Sequence, residues 1–137
     1  MEAHLRLDPW PDAAVALKAM AGAGLRLAYL TNWTQAMLEA NTKAAGLTGL
    51  FEAMLSTDSV RAYKPDPRAY AMAETALKIP RDNIVFAAFG GWDAAGGKAF
   101  GLDTFWVNRL GAPFERLGVP PDAVGLTLTE LAHYAMR

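Results

Sequence analysis

Thr31-Asn32, Lys64, Tyr70 and Asp93 are the residues whose types and positions could do chemistry together. Asp93 follows the apolar run Ile84-Val85-Phe86-Ala87-Ala88-Phe89 and the pair Gly90-Gly91. An apolar run without polar alternation reads as a strand covered on both faces. Two glycines permit a sharp turn, through positive φ or close backbone approach, into the next helix. In an open parallel sheet, ligands sit outside the carboxyl ends of the strands, so Asp93 falls where chemistry would take place. Thr31-Asn32 closes another apolar strand, and Lys64 and Tyr70 flank the start of a helix. Taken singly, each has a plainer reading. Lys64 fits a solvated surface lysine, Asp93 a helix cap, Thr31-Asn32 a turn, and Tyr70 half-buried packing. What favours chemistry is four motifs in the right order along the chain, not any single residue.

The elements that must position them follow from hydrophobic periodicity and stop signals. Pro11-Asp12 opens a helix with Ala13, Leu17 and Met20 on one face, stopped at Gly22 to Gly24. Residues 25–30 form an apolar strand, 35–45 a helix capped by Gly46, and 51–56 a short strand-like segment. Lys64 precedes Pro65 and is pushed to extended backbone. Asp66 is a good N-cap and Pro67 a good first residue for a helix running to Lys78. Its face of Tyr70, Ala73 and Leu77 puts Tyr70 near its N-terminal end, on the side of Lys64. A helix from about Asp93 to Phe100 follows, then a strand over 104–107 ending in Asn108-Arg109, and a Gly- and Pro-rich loop over 110–122. A short strand over 124–128 and a final helix capped by Thr129 complete the chain. Alternation of strands and helices predicts a Rossmann-like α/β fold, a parallel sheet with helices on both faces, and no linker divides residues 1–137.

Composition narrows the function classes. With 53% hydrophobic and 20% charged residues, the chain is globular rather than disordered. A formal net charge of −1 gives no electrostatic reason to expect nucleic acid or an anionic membrane as partner. No apolar segment is long enough to span a bilayer and residues 1–12 lack a signal-peptide core, so a cytoplasmic protein is the expectation. The absence of cysteine removes thiol catalysis, thiolate metal sites and disulfides together. Asn32-Trp33-Thr34 matches a glycosylation sequon of the kind that arises by chance. His4 and His133 have no partner by spacing, and the glycines near Asp93 lack dinucleotide-fingerprint spacing.

Leu-Thr-Asn after an apolar strand, Tyr63-Lys64-Pro65-Asp66-Pro67-Arg68-Ala69-Tyr70, Gly91-Trp92-Asp93-Ala94-Ala95-Gly96 and Thr104-Phe105-Trp106-Val107-Asn108-Arg109 occur in this order. The series resembles the type II 2-haloacid dehalogenases of the haloacid dehalogenase superfamily, from Pro9 to the last helix. The resemblance implies hydrolysis of short 2-haloacids by nucleophilic catalysis. A carboxylate attacks C2 and displaces halide, and water then opens the ester to a 2-hydroxy acid of inverted configuration. It also implies roles. Thr31 stands at the catalytic hydroxyl and Asn32 beside it at the substrate. Lys64 holds the attacking carboxylate ionised, an effect of about 1–3 pKa units for a neighbouring cation. Tyr70 lines the substrate site, Asp93 positions or activates water, and Trp92 packs beside it. No metal and no other cofactor is implied.

The departures are as informative. The family's nucleophile stands at the end of a first strand that precedes its cap. Here no Asp-x-x-x-Thr follows an apolar strand near the N-terminus, and Asp8 and Asp12 flank prolines. The halide-binding arginine of the cap has no counterpart. Ala88 and Gly90 replace a serine and an asparagine that hold the nucleophile and the water. Phosphatases of the superfamily place a magnesium-binding aspartate at the position of Phe89, whose ring offers no oxygen ligand.

The expectation is therefore a partial core, residues 1–137, lacking the central first strand and inactive in isolation. The strands ending at Thr31 and Phe89 would then flank an open slot. Each buried unpaired backbone group costs about 1–3 kcal/mol, against a total domain stability of about 5–15 kcal/mol. Direct pairing of the two strands, filling by residues 4–7, or a strand from a second chain would repair it, and a homodimer is the expected assembly. A non-catalytic binding or oligomerising remnant and a phosphatase relative are the competing functions.

Overall fold

This computed structural model describes residues 6–137, and side-chain caps open three of the five α-helices among them. Helix α1 (Ala13–Gly22) leads to β1 (Ala28–Thr31), and α2 (Gln35–Ala44) to β2 (Ala53–Ser56). The Thr34 hydroxyl caps α2 by accepting the Met37 N–H. A tight helical turn and an extended stretch precede α3 (Pro67–Leu77), where Asp66 accepts the Arg68 N–H and Pro67 opens the helix, as expected from the sequence. Then come β3 (Val85–Ala88), α4 (Gly91–Phe100), β4 (Asp103–Val107), β5 (Ala123–Gly125) and α5 (Leu128–Ala135). The last helix is capped by Thr127 rather than Thr129. The Thr127 hydroxyl and the Glu130 carboxylate satisfy each other's backbone N–H groups, and Glu130 supplies the reciprocal bond only to a cap three residues before it.

All strand pairs are parallel. β1 pairs with β2, from Ala28 opposite Ala53 to Thr31 opposite Ser56. Separately, β3 pairs with β4 and β4 with β5. The described residues therefore form a two-stranded and a three-stranded sheet. The direct pairing of the flanking strands offered above as a repair does not occur among the described residues, since β1 and β3 belong to different sheets. His4 and Leu5, part of the segment considered as a filler, lie outside the described residues, and the Leu7 N–H is bonded to Asn41 Oδ1 on α2.

Alternation along β4 builds a core on each face of the larger sheet. Phe105 and Val107 pack with Ala16 and Met20 of α1 and Leu131 and Ala132 of α5. Trp106 faces the other way, with Phe86 and Ala88 of β3, Ala94 of α4 and Tyr70 of α3. The α/β reading with helices on both faces thus describes the observed arrangement. Asp12 ties the ends together. Its carboxylate takes the Arg109 guanidinium at 2.6 Å and the Leu128 N–H at 2.8 Å, linking the starts of α1 and α5 to the loop after β4. That engagement explains why Asp12 makes no side-chain cap on its own helix.

Candidate active site

Lys64 sits on the extended stretch before α3, and its backbone N–H donates to Asn32 Oδ1 at 2.9 Å. Asn32 follows the last residue of β1, and the same oxygen accepts the Thr57 hydroxyl at 3.1 Å. One amide thus joins the ends of β1 and β2 to the Lys64 loop. Thr57 is fully buried, and the Ser56 hydroxyl donates to the Trp33 carbonyl at 2.6 Å. Ser56 and Thr57 were not singled out from the sequence. The available signal was a Ser-Thr pair closing an apolar strand, the pattern read at Thr31-Asn32.

From this anchored backbone the Lys64 side chain reaches Asp93, with Nζ to Oδ2 at 2.5 Å and only 9% of either side chain exposed. The Tyr70 hydroxyl donates to the other carboxylate oxygen, Oδ1, at 2.7 Å. Both Asp93 oxygens are therefore engaged. Asp93 is the third residue of α4 rather than its first, so its charge also lies within the positive end of the helix. Burial, then the Asp93 carboxylate, push the Tyr70 phenol well above its ordinary pKa, which keeps it a donor.

Tyr70 is completely buried, edge-on to Phe86 with ring centroids 5.5 Å apart. The resemblance implies that Tyr70 lines the substrate site; in the fold its hydroxyl is engaged by Asp93 beneath the surface. Gly96 makes this possible. A Cβ there would stand on the Tyr70 hydroxyl and 2.9 Å from Pro65 Cβ, so only glycine lets α4 approach α3 this closely.

Of the two reasons expected for glycine at 90 and 91, positive φ does not apply and close approach does. Gly90 has φ −85° as the N-cap of α4, and Gly91 begins the helix. The constraint at Gly90 is spatial, because a Cβ would lie 2.7 Å from the Trp92 indole nitrogen. Trp92 itself is 45% exposed rather than packed away beside Asp93. With Pro65, Pro67, Ala95, Gly96 and Phe100 it lines a shallow apolar pocket of about 450 Å³, to which neither Lys64 nor Asp93 contributes.

Thr31, at the end of β1, accepts the Trp33 N–H at 3.1 Å, which leaves its hydroxyl proton for an outside acceptor. The structure thus joins Asn32, Lys64, Tyr70 and Asp93 by hydrogen bonds, and it sets Thr31 at the adjoining strand end without a bond to the pair. Ala88 is buried in the apolar core and Phe89 is half-exposed, so neither position supplies a hydrogen-bonding side chain. Among the described residues no cluster of His, Asp or Glu is disposed to hold a metal ion. None of their helices is long and apolar enough to cross a membrane. Chemically, the site offers one carboxylate engaged on both oxygens by a cation and a phenol, with donors on Lys64, Asn32 and Thr31 that the described residues do not use up.

Comparison with known proteins agrees with this geometry. Residues 1–101 match the haloacid dehalogenase-like hydrolase family, and the chain belongs to it. Within the family it is 40% identical over 132 residues to the haloacetate dehalogenase H-2 of Moraxella sp. (strain B), covering 96% of this chain and 59% of that protein. It is 41% identical over 121 residues to the (S)-2-haloacid dehalogenase of Pseudomonas sp. (strain YL), covering 88% of this chain and 52% of the relative. A crystallised L-2-haloacid dehalogenase, 40% identical, superposes with a TM-score of 0.96 over 99% of this chain and 60% of its own. The chain therefore spans between half and three-fifths of the length of these relatives. It is a haloacid dehalogenase-like hydrolase core related to the 2-haloacid dehalogenases.

Proposed function

We propose that residues 1–137 are one domain, the core portion of a hydrolase that removes halide from short 2-haloacids to give 2-hydroxy acids. The observation that carries this reading is the buried Lys64–Asp93 pair, braced by Tyr70 and linked through Asn32 to the end of β1. In it, Lys64 holds an attacking carboxylate ionised and oriented. Asp93 positions the water that opens the ester. Thr31 and Asn32 turn their free donors to the substrate. Tyr70 acts through Asp93, as a positioning residue. Because the described residues offer no second carboxylate at the site, residues 1–137 do not turn over alone in this reading.

The test has two readouts. Halide release from L-2-chloropropionate is expected to be no greater than that of a Lys64→Ala variant, and turnover above that control overturns the inactivity. L-2-chloropropionate is expected to shift the backbone amide resonances of Asn32 and Lys64. No shift at saturating ligand would instead support a binding or oligomerising remnant without catalysis, the reading that the apolar Ala88 and Gly90 favour.

A cytoplasmic location and a homodimer belong to the same proposal. Support for the dimer comes from the unshared edges of β1 and β3, since strand edges are prone to associate between chains.

A further inference from the structure

We propose that Thr57 is a positioning residue for the substrate side of the site. Its buried hydroxyl fixes the rotation of the Asn32 carboxamide, so that the amide nitrogen, which can only donate, faces an anionic ligand. What that ligand is rests on the functional reading, whereas the rotation itself is measured without any ligand.

Thr57 opens the tight helical turn after β2 (Thr57–Val60), and none of it is exposed. A hydroxyl taken out of water needs a partner. The other two buried threonines among the described residues find theirs close by along the chain. Thr42 donates to the Leu38 carbonyl at 2.7 Å and Thr104 to the Leu102 carbonyl at 3.0 Å. Thr57 instead donates across 25 residues to a side chain, Asn32 Oδ1, at 3.1 Å. Valine would fill the same space with no hydroxyl to satisfy, so packing alone does not call for threonine here.

A second donor decides which way round the carboxamide stands. The Lys64 backbone N–H lies 2.9 Å from Oδ1, and because it can only donate, the atom it meets is oxygen. With Thr57 on the same oxygen both lone pairs are engaged, and a half-turn of the group would set an NH2 against the Lys64 N–H. The amide nitrogen is thereby directed the other way. It bonds to nothing among the described residues, yet no buried side-chain nitrogen or oxygen among them lacks a partner, so this nitrogen is open to solvent. Thr31, one residue earlier, has its hydroxyl proton free as well.

The backbone after Asn32 is held from the same strand end, by the Ser56 hydroxyl on the Trp33 carbonyl at 2.6 Å. The freedom that Thr57 removes is therefore that of the carboxamide. A carboxamide free to turn presents its oxygen outward part of the time and repels an anion. Holding it donor-outward before the ligand arrives is preorganisation, which raises affinity without a new contact.

The test is nitrogen-15 relaxation of the Asn32 side-chain amide in the full chain, joined to a titration with L-2-chloropropionate. The order parameter of the Asn32 NH2 group is expected near about 0.85 in the unsubstituted chain and below about 0.6 in Thr57→Val, with Thr57→Ser restoring the higher value. The dissociation constant of L-2-chloropropionate is expected to rise about three- to tenfold in Thr57→Val, the scale of one hydrogen bond, and to stay within about twofold in Thr57→Ser. In an Asn32→Ala background Thr57→Val is expected to raise it no further, because Thr57 acts through that amide. An unchanged order parameter in Thr57→Val, no recovery in Thr57→Ser, or an undiminished loss of affinity on Asn32→Ala overturns the proposal. An unchanged order parameter in a chain that binds L-2-chloropropionate sinks the role of Thr57 and spares the functional reading. A fall that serine restores, in a chain that binds no L-2-chloropropionate, sinks that reading and upholds the grip of Thr57 on the carboxamide.

Discussion

Lys64 Nζ lies 2.5 Å from Asp93 Oδ2 across 29 residues of sequence, with both side chains almost wholly removed from water. Desolvating two charges is costly, and their attraction offsets that cost only while both are present. Lys64→Met leaves a buried carboxylate with only Tyr70 as partner and is expected to cost about 3–5 kcal/mol in urea unfolding. Lys64→Met combined with Asp93→Leu is expected to cost clearly less than the two single losses added. Additive losses would show that the pair is not coupled.

Tyr70 makes the stability of the fold sensitive to alkali. Its phenol is raised above 10.0 in the folded chain by burial and then by Asp93. A raised folded pKa means that its contribution is complete below about pH 10 and is lost as pH rises, because the unfolded phenol ionises first. Tyr70→Phe is expected to cost about 1–2 kcal/mol at neutral pH for the lost hydrogen bond. It should also make the alkaline fall of the melting temperature shallower. Some fall persists, because Tyr29, Tyr63 and Tyr134 are raised as well. An unchanged alkaline limb in Tyr70→Phe would refute the assignment.

Gly96→Ala forces a methyl onto the Tyr70 hydroxyl and against Pro65. Overpacking of this kind costs about 1–3 kcal/mol. Since the hydroxyl is the atom met first, Gly96→Ala with Tyr70→Phe is expected to be more stable than the sum of the single variants predicts. The comparison of unfolding midpoints checks this, and strict additivity would place the strain elsewhere.

Asp12 governs the acid side. Burial raises its carboxyl pKa, but the Arg109 hydrogen bond, the Leu128 N–H and the Arg109 charge together bring it below 3.8. A depressed folded pKa gives stability that is present above the ordinary carboxylate range and is lost as pH falls through the folded value. Asp12→Asn is expected to lower the melting temperature at pH 7 and to flatten its decline below about pH 4. Asp122, lowered by Lys98 and the Thr104 N–H against its burial, keeps part of that decline in place. Thermal scans from neutral to acid pH of both chains provide the check.

How much of this was legible in the residues depended on the range of the interaction. Asp66 and Pro67 opened α3 as read, because capping and proline φ act within one turn. Apolar runs located strands, although β1 begins three residues later than the run at 25–30, where pairing with β2 starts. Thr129 was mistaken for the cap that Thr127 makes, since either threonine fits locally and only the reach of Glu130 chooses. At Gly90 the residues left positive φ and close approach both open, and only the ring of Trp92 folding back over it decides for close approach.

Composition and periodicity by themselves determined an α/β chain with polar residues at the ends of its strands, because apolar spacing and stop signals are local properties. Tertiary structure decided which of those residues meet. Lys64 could have stayed in solvent. Close approach of α4 to α3 at Gly96 instead brought Asp93 to it as an acceptor and sank Tyr70 beneath the surface. The division into two sheets was likewise decided in three dimensions, since a strand's sequence records that it is apolar but not which neighbour pairs with its edge.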